Sequence, residues 1–109
     1  MARKKVTVSL SRRAEKDLNE IYRYLSEHSE STLVKVDEML FKILRRLEFF
    51  PLSGHFVKEF QSKRYREALV FHYRIIYRFL EKEKRVQVMT IRHGKRFFPT
   101  IQITSTDSR

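Results

Sequence analysis

Apolar and polar residues alternate at the start of the chain. Val6, Val8 and Leu10 fall on one side of an extended segment and Thr7 and Ser9 on the other, which predicts a half-buried strand over residues 5–10. The period then changes. Ala14, Leu18, Ile21 and Leu25 recur at spacings of four, three and four, one face of an amphipathic helix from Arg12 to Glu27 with Ser11 as its N-cap. His28-Ser29-Glu30-Ser31 is a polar break, and Ser31 is placed to cap a second helix. Leu33, Val36, Leu40, Ile43, Leu44 and Leu47 form the apolar face of that helix, and Pro51 marks its end. A short break between two amphipathic helices implies an antiparallel hairpin.

Pro51-Leu52-Ser53-Gly54 is turn chemistry. Residues 55–63 mix Phe56, Val57 and Phe60 with Lys58, Glu59 and Lys63 and read as a loop packed by its aromatics. Strand patterns return over Tyr65–Val70, over Tyr73–Leu80 and over Val86–Arg92, with Glu81 to Lys84 as a charged turn. Tyr73, Ile75, Tyr77 and Phe79 make one face of the middle strand, and Arg74, Ile76, Arg78 and Leu80 the other. The first face reads as core before it reads as a base-stacking surface. Short connections imply an antiparallel meander. The hairpin must bury its stripe against the sheet, so the expected fold is a two-layer α+β domain with a mainly antiparallel four-stranded sheet. One domain spans residues 1–99, and 100–109 form a polar tail expected to be flexible.

Composition narrows the class. The 109 residues contain no cysteine, which excludes disulfides, thiolate metal sites and cysteine nucleophiles. No apolar run reaches membrane-spanning length, and the basic N-terminus leads into a segment too short and too alternating for a signal peptide. The expectation is a cytoplasmic protein. Charge is the strongest signal: 24 Lys and Arg against 13 Asp and Glu give +11. Residues 1–50 hold 11 basic and 8 acidic residues, and residues 51–109 hold 13 and 5, so the second half carries most of the excess. Such asymmetry points to a polyanionic partner, either nucleic acid or an acidic protein segment.

Catalytic templates are scarce. Gly54 and Gly94 do not build a phosphate-cradling loop, His28, His55, His72 and His93 lack metal-ligand spacing, and there is no Gly-x-Ser-x-Gly elbow. No cofactor or metal is expected. What remains is basic residues on strands. Arg74 and Arg78 share one face of theirs, and Arg92, His93, Lys95 and Arg96 cluster where the last strand ends. If the last two long strands pair, these groups approach one end of the sheet near Arg64 and Arg66. Arginine forks grip phosphates and carboxylates bidentately. The plainer reading of Arg74 and Arg78 is a solvated sheet face.

Tyr73-Arg74-Ile75-Ile76-Tyr77-Arg78, followed by Ile91-Arg92-His93-Gly94-Lys95-Arg96, resembles the C-terminal half of the RelE/ParE toxin superfamily. The helix start at Leu10-Ser11 with Ala14, Asp17 and Leu18, and the Pro51-x-x-Gly54 turn, are similar too, so the resemblance covers residues 5–99. It implies a toxin of a type II toxin–antitoxin pair, neutralised by a cognate acidic antitoxin. RelE-like members cut mRNA on the ribosome without a metal; ParE-like members inhibit DNA gyrase without nuclease chemistry. Arg74 and Arg96 match arginines that RelE-like enzymes use on the phosphate, and His93 is a candidate proton carrier, so these three are the catalytic set if the chain is an endoribonuclease. The tyrosine expected after Arg96 is missing: Phe97, Phe98 and Pro99 stand there, and Lys63, Arg64 and Arg66 only roughly replace the upstream lysines. The ending and the long helical hairpin resemble ParE more. The resulting expectation is a gyrase inhibitor, not an enzyme, whose target-binding residues are Arg92, His93, Lys95, Arg96, Phe97 and Phe98. The alternatives are a ribosome-dependent mRNA endoribonuclease and a non-toxic nucleic-acid-binding module. The turn at Val70–His72 lacks the glycine often found there, which predicts a wider hairpin.

Overall fold

The computed structural model describes residues 5–94. The elements are β1 (Thr7–Leu10), α1 (Arg12–His28), α2 (Glu30–Phe49), β2 (His55–Phe56), β3 (Tyr65–Val70), β4 (Tyr73–Leu80), a 3₁₀ turn (Glu81–Glu83) and β5 (Arg85–His93). They form one sheet in the order β1-β5-β4-β3-β2. β1 runs parallel to β5, and the other neighbours are antiparallel. The sheet therefore has five strands, one more than the sequence pattern suggests. The addition is His55–Phe56, which pairs with Glu67 and Arg66 and was read as part of a loop. Two residues are too few to show a period.

Ser11 sets the first turn of α1. Its Oγ accepts the Ala14 N–H at 3.0 Å and donates to the Met89 carbonyl at 2.8 Å, tying the helix start to β5. The break between the helices is shorter than expected. Ser29 alone separates them in an extended conformation, its N–H closing α1 on the Leu25 carbonyl and its Oγ accepting from Thr32 N–H to open α2. Ser29, not Ser31, is the cap, because one extended residue satisfies both helix ends.

The helical layer packs on one sheet face. Ala14, Leu25, Val36, Leu40 and Leu47 meet Val70, Ile75, Tyr77, Val86, Val88 and Ile91 in a single core. Tyr77 is fully buried, and its hydroxyl accepts the Gly54 N–H at 2.8 Å, which anchors the turn after α2. A side chain at Gly54 would stand 2.6 Å from both that hydroxyl and the Glu67 carbonyl, so this position accepts only glycine. The opposite face is not simply solvated. Val57, Phe60, Tyr65 and Ile76 form a second small core, with Met89 against it, because the chain after β2 folds back over the sheet. Ile76 reads as an exposed-face residue in the alternation, and this cover is why it is buried.

Two local features set the geometry of the strand ends. Ile76 pairs with Thr90 and Tyr77 with Val88, so Met89 is an extra residue in β5, a bulge. The β3–β4 turn is tight, not wide: Val70 pairs with Tyr73 across Phe71 and His72. Phe71 takes φ of 56°, doing the work a glycine would ordinarily do at a cost of about 1–2 kcal/mol. No helix among the described residues is long and apolar enough to cross a membrane.

Candidate functional site

The end of the sheet where β4 begins and β5 finishes carries Arg74, Arg92 and His93 of the residues singled out from the sequence. Tyr73 pairs with His93 and Arg74 with Arg92, so the meander does bring the two basic segments side by side. The His72 and His93 rings lie 6.1 Å apart, and Tyr73 meets the His93 ring edge-on at 5.4 Å. Gly94 N–H donates to the His72 carbonyl at 2.5 Å, holding the strand exit against the β3–β4 turn. Lys95, Arg96, Phe97 and Phe98 lie outside the described residues, as does the 100–109 tail.

β1 accompanies β5 only as far as the Leu10–Val88 pair. Beyond it, α1 flanks the last turn of β5 and leaves a cleft of about 730 Å³ walled by Arg13, Asp17, Tyr24, Tyr73, Arg92 and His93. Asp17 fixes that wall. One carboxylate oxygen accepts from the Thr90 hydroxyl at 2.6 Å and from the Ile91 N–H at 3.0 Å, while the other meets Arg13 at 3.2 Å. Burial in this wall pushes the Tyr73 hydroxyl above its ordinary pKa, and negative charge on Tyr24 would push it further. Tyr73 therefore stays protonated at neutral pH and is a poor general base.

The two strand arginines meet different fates. Arg74 is only 8% exposed. Its Nη1 and Nη2 donate to the two Glu59 oxygens, each at 2.8 Å, and its Nε donates to Glu67 at 2.7 Å. One guanidinium is thus clamped by two carboxylates. The fork from Arg74 holds the Glu59 carboxyl below its usual range, against the opposing pull of burial. Glu59 in turn raises the Arg74 pKa further. The clamp carries a net negative charge and has little attraction for a phosphate. Arg78 instead donates through Nε and Nη2 to the Gln87 side-chain oxygen, at 3.1 and 2.9 Å. Arg66 is taken up by the Gly54 carbonyl at 2.9 Å and lies over the Phe56 ring at 4.3 Å.

The sequence reading did not single out Asp17, Glu59 or Glu67 as partners of these groups. Glu67 was accessible in principle, since alternation along β3 puts it on the face that Arg74 uses one rung away. Glu59 gave no such signal, because it arrives from a segment without a period. Among the described residues, no group of three or more His, Asp or Glu side chains is placed to hold a metal ion.

The sequence matches the family model described as the ParE toxin of the type II toxin–antitoxin system parDE over residues 8–98. Comparison with curated proteins gives no significant match. Solved structures share the fold. The chromosomal ParDE toxin–antitoxin system from P. aeruginosa superposes with a TM-score of 0.63 at 17% identity, covering 84% of this chain and 98% of that one. The RelBE2 toxin–antitoxin complex from Mycobacterium tuberculosis gives 0.56 at 23% identity, covering 82% and 98%. The isolated E. coli RelE toxin gives 0.53 at 13% identity, covering 92% and 96%. At these identities the structures establish the two-helix, mixed-sheet architecture. The family follows from the sequence match, which takes in both helices, the sheet and the basic strand end: this chain belongs to the ParE toxin family of type II toxin–antitoxin systems.

Proposed function

We propose that this toxin arrests growth by binding DNA gyrase through the segment from Arg92 to Phe98, and that an acidic antitoxin neutralises it. The observation that carries the choice of gyrase over mRNA is the Arg74 clamp. Cleavage by a ribose 2′-hydroxyl needs a base, an acid and stabilisation of charge on the phosphate. The arginine that stands where RelE-like enzymes hold the phosphate is here bound on both edges by Glu59 and Glu67. Past Arg96 the chain offers Phe97, Phe98 and Pro99 in place of a tyrosine acid or base. An inhibitor needs neither group. It needs a basic, partly aromatic surface on a rigid support, and the paired ends of β4 and β5 supply that support.

An antitoxin partner is supported by the family and by the fold relatives, several of which are toxin–antitoxin complexes. A charge of +11 favours an acidic one, with association that is fast and weakens as salt rises. Induced expression tests the assignment of the segment. The wild type stops growth, and Arg96→Ala restores it with a melting temperature nearly unchanged. Equal loss of folding and of toxicity would assign the segment to structure instead.

A further inference from the structure

At the opposite end of the sheet from Arg92, Arg78 lies in a cleft of about 470 Å³ with Arg64, Lys82, Glu81, Phe79 and Leu80. We propose that this cleft is a second interaction site, which takes a peptide segment of a partner protein bearing an aspartate or glutamate flanked by apolar side chains.

The argument begins with the contrast between two arginines on the same face of β4. Arg74 is neutralised by two carboxylates. Arg78 is held by a neutral amide. Among the described residues both of its side-chain hydrogen bonds go to the single Gln87 oxygen, so the fork is oriented by a group that carries no charge. Gln87 has then spent its acceptor, and its NH₂ group can only donate; Arg78 Nη1 can only donate as well. Arg78, half-buried and lining the cleft, therefore presents it with donors and no acceptor, the requirement for an oxyanion. Arg64 and Lys82 are exposed on the rim and add positive charge. Glu83 also lines the cleft, but its carboxylate is engaged by Arg85 at 2.6 Å.

Two features select a carboxylate on a peptide over a nucleic-acid backbone. Leu80, on the same face of β4 as Arg78, gives the cleft an apolar wall that a phosphodiester chain does not use. Glu81, exposed on the rim, repels a polyanion, which carries about one charge per 1.7 Å along a duplex. A lone carboxylate between apolar residues can meet the Arg78 fork and carries less charge for Glu81 to repel.

The test uses the full chain and a short fluorescein-labelled peptide of alternating leucine and glutamate, read by fluorescence anisotropy and by amide shifts in an NMR titration. The expected result is shifts confined to residues around Arg64, Arg78–Glu83 and Gln87. Arg78→Gln should weaken binding by about tenfold, the loss of a charge-assisted fork. Arg78→Lys, which keeps the charge and loses the fork, should fall between. Lys42→Gln removes the same charge elsewhere, on the exposed face of α2, and should leave affinity unchanged. Equal weakening by Lys42→Gln means attraction by net charge alone and overturns the proposal. So does tighter binding of a labelled oligothymidylate at the same residues, which would make the site one for nucleic acid. Thermal melts of each variant accompany the titrations. If Arg78→Gln unfolds, the Arg78→Lys and Gln87→Leu variants carry the test, and undiminished peptide affinity in both overturns it.

Discussion

Replacing Glu59 by glutamine probes the Arg74 clamp, the feature on which the proposed choice of gyrase over mRNA rests. Glutamine keeps the shape but swaps one acceptor oxygen for an NH₂ group that points donors at a guanidinium made only of donors. The bidentate pair, with both bonds at 2.8 Å, becomes one neutral bond and one donor–donor clash. Breaking a fully buried ion pair on one side costs about 3–5 kcal/mol. Here Glu67 still holds Nε, and the Glu59 side chain is 23% exposed, so a loss of about 2–3 kcal/mol is expected, nearer the range for charged hydrogen bonds. In a domain of this size that lowers the melting temperature by about 10–20 °C. The assay is a urea or thermal melt at several pH values. Glu59 has a depressed pKa when folded, so its stabilisation is present above the unfolded glutamate value of about 4.3 and fades as pH falls through the lower folded value. The wild type should therefore lose its advantage over Glu59→Gln in that acid window and hold it at neutral pH. A stability gap absent at pH 7, or one that does not narrow in acid, would refute the clamp as described.

Two other substitutions test the local geometry. Phe71→Gly should stabilise the fold by about 1 kcal/mol, because glycine accepts a positive φ without strain, and a drop in melting temperature would show that the Phe71 ring contributes more than its backbone costs. Ser29→Ala should cost about 1 kcal/mol and Ser31→Ala close to nothing, since Ser29 alone closes one helix and opens the next; equal effects in denaturant melts would return the cap to Ser31.

The elements with a clear period were legible in the sequence. Val6 to Leu10 alternate, the stripes of both helices repeat at helical spacing, and Tyr73 to Phe79 mark their core face; all appear where the pattern puts them. The pairing of the two basic segments also followed, because a four-residue charged turn leaves β4 and β5 few ways to meet. The rest depended on contacts between distant positions. His55 and Phe56 become a strand only because Glu67 and Arg66 are there to pair with them. Phe71 holds a glycine's conformation because the strands on either side fix the register, with Val70 opposite Tyr73, and a local rule cannot see that. The fate of Arg74 hinged on Glu59, which reaches it from 15 residues away along an aperiodic segment. Arg74 and Arg78 look alike in sequence, and only their partners distinguish a buried structural clamp from an oriented positive charge.

The most direct test of the gyrase assignment is a parallel assay of purified toxin against DNA gyrase supercoiling and against translating ribosomes carrying a reporter mRNA. The structure and sequence together predict inhibited supercoiling and intact mRNA, with the inhibition relieved by the antitoxin and weakened by Arg96→Ala. Unimpaired supercoiling alongside codon-positioned mRNA cuts would contradict the account and make Arg74, His93 and Arg96 the catalytic residues.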